Sequence, residues 1–303
     1  MKQSLALVFT SISLVACVGG DDDGGGIAIA DLGDAVVAAV CEQQVRCGLS
    51  PDLATCEATI NLGGVDQLVA LVEAGRTQYD SASAANCLDT LRNGTCTLSG
   101  NTNVEPASCD ATFTGTAAEG APCVVNEECV SEDCEQTGEC MDTCCMGACA
   151  AATVRAEIGG TCESPEGCVL TAACSDGVCV APIAEGAACG EGSTCVSGTY
   201  CLPDESFMNF TCEGFPAHGE ACRFGCDEFD DYCDMSTMIC AQRRAVGETC
   251  AGGADCVGYA TCESGTCVAL PSQAGAACVE QCLGNLECES GICMAREPEP
   301  VCL

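Results

Sequence analysis

The hydrophobic positions of the chain follow three successive patterns. Leu5 to Ala16 is a mostly apolar stretch behind Met1-Lys2, interrupted by Thr10, Ser11 and Ser13. It has the length of a secretory h-region and is too short to span a bilayer. Between residues 31 and 112 the apolar positions recur with helical period. Leu32, Val36, Val37, Val40 and Val45 predict a helix through Arg46, with Gly48 at its C′ position. Ser50-Pro51-Asp52 supplies an N-cap, a proline at N1 and an acid in the first turn. A second helix is therefore expected, carrying Leu53, Cys56 and Ile60 and stopping at Gly63-Gly64. Val65, Leu68, Val69 and Val72 predict a third that ends at Gly75. Asp80 or Ser81 caps a fourth through Cys87, Leu88 and Leu91, closed by Asn93-Gly94. Beyond Thr114 neither period persists, and cysteine becomes the recurring apolar residue.

The cysteines of this third region repeat. Cys162, Cys168, Cys174, Cys179 and Cys250, Cys256, Cys262, Cys267 both leave five, five and four residues between successive cysteines. Cys278, Cys282, Cys288, Cys293 shortens the first interval to three, and Cys189, Cys195, Cys201, Cys212 lengthens the last to ten. Cys222, Cys226, Cys233, Cys240 is looser, and Cys123, Cys129, Cys134, Cys140 opens the series. Each unit begins on a glycine separated from its first cysteine by two residues, with a Gly159-Gly160 pair before Cys162. Asp176-Gly177, Ser264-Gly265 and Ser290-Gly291 sit midway between the last two cysteines of their units, which is the chemistry of a two-residue hairpin turn. Such a hairpin sets its two cysteines opposite each other, ready to bond back to the first two. Four cysteines allow three connectivities, and spacing does not choose among them.

The whole chain holds 35 cysteines in 303 residues, above the fraction that marks a disulfide scaffold and an oxidising compartment. The helical region has Cys41, Cys47, Cys56, Cys87, Cys96 and Cys109, enough for three bridges. A Cys47–Cys56 bridge is expected across the first helix–helix corner. Bridges in the repeats are expected to stay within units, so that each unit is a bead touching its neighbours. Cys144, Cys145, Cys149 and Cys302 are left over at the two ends of the array, and the bead reading disfavours a closure between those ends.

Leu14-Val15-Ala16-Cys17 resembles the lipobox of bacterial lipoproteins. The resemblance implies cleavage before Cys17 and lipid on its sulfur and amino group, and Val18 after it implies sorting to the outer membrane. Removing Cys17 leaves 34 cysteines, an even number. Residues 18–30, with Asp21-Asp22-Asp23 among glycines, cannot bury apolar surface and read as a disordered tether. The mature chain then carries 45 acids against eight arginines, a formal charge of −37. That excludes a nucleic-acid partner, which needs a basic stripe to release counterions. The partners expected are the membrane, through the lipid, and an extracellular protein or glycan.

Little in the sequence suggests catalysis or a cofactor. His218 is the only histidine and lies in a linker between units. There is no CxxC pair for zinc and no GxSxG, HExxH or phosphate-cradling loop. Asp227, Glu228, Asp230, Asp231 and Asp234 form an oxygen-rich segment, but their spacing matches no calcium loop, so it reads as solvated charge. The adjacent Cys144-Cys145 offers the one redox alternative, a labile pair in an envelope enzyme or redox protein.

The segments Asp255-Cys256-Val257-Gly258-Tyr259-Ala260-Thr261-Cys262 and Cys195-Val196-Ser197-Gly198-Thr199-Tyr200-Cys201 resemble the Dickkopf N-terminal cysteine-rich domain. With lipobox, acidic tether and helical cysteine domain, the layout resembles predicted lipoproteins of myxobacteria. The resemblance is carried by cysteine spacing, which specifies fold better than function. The expected protein is a small disulfide-rich one: a signal peptide (1–17), a tether (18–30), an all-α cysteine-containing domain (31–112) and about six β-hairpin cysteine-rich repeats (113–303). Its expected role is a non-enzymatic structural or adhesive module on the cell surface, with no cofactor.

Overall fold

The computed structural model describes residues 25–60, 63–98, 107–136, 144–152, 155–162, 167–169, 172–190, 194–204, 206, 208–223, 225–279, 281–296 and 301–302. The signal segment, Cys17, most of the tether and Cys140 lie outside the described residues.

The chain folds as a helical head followed by short antiparallel ribbons. Helix α1 (Leu32–Arg46) ends on Gly48, whose φ of 67° favours a residue without a Cβ. Helix α2 (Leu53–Thr59) is capped by Asp52, which accepts the Thr55 N–H at 2.7 Å. The cap is thus Asp52 and not Ser50, because Asp52 is the residue that stays extended and turns its carboxylate onto the first free amides. The helix stops at Thr59, and Gly63-Gly64 begins α3 (Gly63–Glu73) where an end to the second helix was expected. Helix α4 (Ser81–Asn93) starts on the Asp80 cap, with Asp80 accepting Ser83 N–H at 2.8 Å. A short α5 (Ala107–Asp110) follows.

The head is not purely helical. Strand β1 (Thr77–Tyr79) pairs antiparallel with β2 (Phe113–Gly115), which carries the head three residues past its expected end at 112. It also begins earlier than expected. Ile27 donates to the Ser81 carbonyl at 3.1 Å and accepts the Tyr79 hydroxyl at 2.8 Å, so the last tether residues are docked.

Leu32, Ala39, Leu71, Ala84 and Leu88 form the apolar core of the head. Three bridges surround it: Cys41–Cys56, Cys47–Cys96 and Cys87–Cys109. The expected Cys47–Cys56 bridge is wrong. Cys41 lies on the buried face of α1 that α2 covers, whereas Cys47 sits past the helix end beside the C-terminus of α4. Arg46, one residue before it, donates to the carbonyls of Arg92 and Gly94 there.

All six repeats share one backbone plan. A turn opens each, with glycine at its third position: Gly120, Gly159, Gly186, Gly219, Gly247 and Gly275, at φ between 76° and 92°. Each of these glycines donates its N–H to the carbonyl of the fourth cysteine of its own unit, at 2.7–2.9 Å. The last two cysteines face each other across the hairpin: Cys174↔Cys179, Cys201↔Cys212, Cys233↔Cys240, Cys262↔Cys267 and Cys288↔Cys293. Asp176-Gly177, Ser264-Gly265 and Ser290-Gly291 have positive φ at both residues, the conformation that matches strand twist. The residue before the first cysteine adds a third strand or bridge, so the strand of the fourth cysteine is central.

Connectivity is first-to-third and second-to-fourth in every unit, as in Cys162–Cys174 with Cys168–Cys179 and Cys250–Cys262 with Cys256–Cys267. The other four units follow. The first unit needs a correction. Its fourth cysteine is Cys149, bonded to Cys129 and paired with Cys134 across β4 (Cys134–Gln136) and β5 (Gly147–Cys149). Cys140, outside the described residues, lies between those two strands in the sequence. Cysteines are the main buried residues of a unit, joined by few others such as Tyr232, Ala260 and Leu283, so sulfur forms most of the core.

The repeats do not extend from the head as a string of beads; they pass around it. The first unit docks through Thr77, whose hydroxyl donates to the Glu127 carbonyl at 2.8 Å, and through the Arg76–Glu128 ion pair. In the third, the Tyr200 hydroxyl donates to Leu98 at 2.9 Å. The fourth lies along Cys96–Leu98, with Leu98 N–H donating to Asp227 at 2.7 Å and Phe229 N–H to Cys96 at 2.9 Å. In the fifth, Gly258 packs so tightly on Leu49 that a Cβ would stand 3.2 Å from it. In the sixth, Asn285 N–H donates to Thr59 at 2.8 Å. Gln67 then holds the backbone of Cys302 through both N–H and carbonyl. Cys302 is disulfide-bonded to Cys144 beside the first unit, across 158 residues. The closure between the ends that the bead picture disfavours is therefore present. The physical reason lies in the head, which gives successive repeats polar backbone partners around its surface and brings the chain end back to its start.

Candidate interaction surface

Strand alternation turns the cysteines of each hairpin inward and the residues flanking them to the other face, where most are exposed and Tyr232 is buried. Ser175 lies opposite Val178, Asp234 opposite Ile239, Glu263 opposite Thr266 and Glu289 opposite Ile292. A second outward pair follows one step along, including Val180, Val268 and Met294. The large aliphatic residues in these two rows, Val178, Val180, Ile239, Val268, Ile292 and Met294, are each 38–48% exposed. Three of the six hairpins thus present an acid directly across from a β-branched residue at the same register position. Such pairs are close enough to act as one contact patch.

Several polar side chains hold the units in shape. Glu128 is fully buried and pairs with Arg76, and its Oε1 accepts the N–H groups of Val124 at 3.1 Å and Val125 at 3.4 Å. Asp255 repeats the arrangement in the fifth unit, accepting Ala251 N–H at 2.7 Å and Gly252 N–H at 3.2 Å. Both acids precede the second cysteine of their unit, and each neutralises amides just after the first. Sequence reading missed this role. Its signal is an acid before the second cysteine in both units, Glu128-Cys129 and Asp255-Cys256.

The acidic segment 227–234 is divided among different tasks. Asp231 is buried and accepts from His218 Nδ1 at 2.9 Å, which raises the pKa of the mostly exposed imidazole. Asp234 turns to the opposite face of its strand and accepts the Ser236 N–H at 2.8 Å and the Ser236 hydroxyl, which holds its carboxyl below the usual range. Asp227 and Glu228 engage the head through their backbone, and the Asp230 carbonyl accepts Arg243 N–H at 2.7 Å. Asp231 and Asp234 therefore cannot converge on one ion. Asp204 makes a similar local cap, with Ser206 and Asn209 lowering its carboxyl pKa.

The cysteines are also committed. Sulfurs of Cys123, Cys129 and Cys149, and of three cysteines in several other units, lie within 4.8 Å of one another, but each takes part in a bridge. Cys144 and Cys145 are both disulfide-bonded. No helix among the described residues is long and apolar enough to cross a membrane.

Sixteen bridges between described residues define a disulfide-rich repeat protein of an oxidising, extracytoplasmic setting. No protein-family model, curated protein or solved structure matches the chain.

Proposed function

We propose that the protein is a lipid-anchored bacterial envelope protein of the outer membrane or cell surface. In this reading the disulfide-locked ring displays its hairpin faces as a non-enzymatic binding surface for an extracellular protein or glycan. The observation that carries the proposal is an acid opposite a β-branched residue at one register position in three hairpins, Asp234 with Ile239, Glu263 with Thr266 and Glu289 with Ile292. A repeated patch suits a multivalent contact, in which weak unit contacts combine into a strong one. The lipobox at Cys17 supports the anchor.

Two measurements test the halves separately. Detergent partitioning should place the wild type with the detergent and a Cys17→Ala variant as uncleaved precursor; wild type recovered in water with a free Cys17 or Val18 terminus contradicts the anchor. The oxidised ectodomain should bind intact envelopes saturably, and Val178→Ser with Ile239→Ser and Ile292→Ser should weaken that binding without changing its charge. Equal binding by both proteins contradicts the hairpin-face reading. Thiol titration of the native protein separates the redox alternative: a rapidly reacting pair at Cys144-Cys145 favours it, and silence favours the scaffold.

A further inference from the structure

A cleft of about 420 Å³ opens between α1, α3, α4 and the first repeat. Its floor is formed by Leu32, Ala84 and Leu88, all buried. Its walls are half-exposed apolar side chains, among them Val36, Leu68 and Phe113. Its exposed lining is Asp110 of the head with Asn126, Glu127 and Glu132 of the first repeat, three acids and one amide. The cleft is open to solvent, so an apolar group that covers its floor removes apolar surface from water, which is favourable. Its volume lies in the range of small-molecule pockets, roughly 300–1,000 Å³.

Apolar floor and acidic mouth together define the occupant. We infer that the cleft binds a single cationic amphiphile, with an alkyl or similarly apolar tail against Leu32, Ala84 and Leu88 and an ammonium-type head facing Glu127 and Glu132. A carboxylate or sulfate head is disfavoured by the same acids, and a purely polar cation gains nothing from the floor. The site is complete only with the first repeat docked on the head, since two of its three mouth acids come from that repeat. It is a separate site from the hairpin faces, so its failure leaves the envelope-binding proposal standing.

The test is calorimetric titration of the oxidised full chain with decyltrimethylammonium below its micelle concentration. Saturable binding at one ligand per chain is expected. Each methylene removed from the tail should weaken binding about three- to fourfold, so octyltrimethylammonium should bind roughly tenfold less tightly. Tetramethylammonium and decanoate should give no saturable heat. Glu127→Gln with Glu132→Gln should weaken the decyl ligand about three- to tenfold, as partly screened charge pairs do. Val36→Trp should abolish binding by filling the cleft. Leu68→Trp serves the same purpose should the first variant fail to fold. Many weak equivalents per chain, or full binding by a folded Trp variant, overturns the inference. So does decanoate binding as tightly as the cation.

Discussion

The head and the repeats solve the same problem with different materials. Both are too small to be stable on polar contacts alone. The head buries Leu32, Leu71, Ala84 and Leu88 between helices and adds three bridges around that core. A repeat buries cysteines and little else, with Cys123, Cys129 and Cys149 as the whole buried cluster of the first unit. Each repeat bridge closes a loop of 10–20 residues and contributes about 3 kcal/mol, mainly by constraining the unfolded chain. The lesson is that a repeat's stability is conditional on oxidation, while part of the head's is not. The head in turn provides the surface that makes six conditional units one closed object.

Reduction should therefore separate the two regions most strongly. Under strong reductant the repeats should lose all amide protection, while helical circular dichroism from α1, α3 and α4 partly survives. Protection retained in any hairpin after complete reduction would reveal a core other than sulfur.

The junction between the regions comes next. Glu128 is buried in the first repeat and neutralised by Arg76 of the head. Replacing Arg76 with Ala leaves an uncompensated buried carboxylate and should cost about 3–5 kcal/mol, seen as a lowered denaturation midpoint. The double variant with Glu128→Gln should recover much of that loss. A single variant as stable as wild type would mean that the pair does not join the two regions.

Smaller effects should come from close backbone approach. A Cβ on Gly284 would stand 2.6 Å from Thr59, and φ there is positive at 64°. Gly284→Ala should therefore destabilise the docking of the sixth repeat by about 1–3 kcal/mol. Gly252→Ala, with nothing within 4 Å of its Cβ position, should be far milder. Comparable losses in the two variants would contradict the contact between Gly284 and Thr59.

The smallest effect is one of pH. Asp231 raises the pKa of His218 in the folded protein. The stability this adds is fully present below the unfolded value, about pH 6.5, and is lost as pH rises through the higher folded pKa. The wild type should lose slightly more melting temperature than His218→Gln between about pH 6 and about pH 8. Identical profiles would show that the pair adds nothing.

Much of this architecture was legible in the sequence, for reasons that differ by region. Helical period placed α1, α3 and α4 nearly to their ends, because Leu and Val recur there at helical spacing, although the valines are only half-buried and the buried residue of α3 is Leu71. Ser264-Gly265 and its counterparts announced their hairpins, because only such residues tolerate two positive φ values in succession. The first unit was misread because its hairpin loop is long. A cue was present: nine or ten residues separate the fourth cysteine from the next unit's first in the later repeats. From Cys149 that gap is twelve residues, and from Cys140 it is twenty-one. The wrapping itself left no such pattern. Contacts such as Asn285 with Thr59 and Leu98 with Asp227 are made by backbone groups, which every residue carries. The acidic mouth of the head cleft was equally hidden, since Glu127 and Glu132 belong to a different region of the chain from its floor.

The central claim is that the repeats encircle the head and are closed end to end, and the Cys144–Cys302 bridge tests it most directly. Non-reducing peptide mapping of the oxidised protein should recover a peptide carrying Cys302 joined to one carrying Cys144, with Cys250, Cys256, Cys262 and Cys267 linked only among themselves. Cys302 recovered as a free thiol, or joined to a cysteine of the sixth repeat, would contradict the closed ring and return the repeats to an open string.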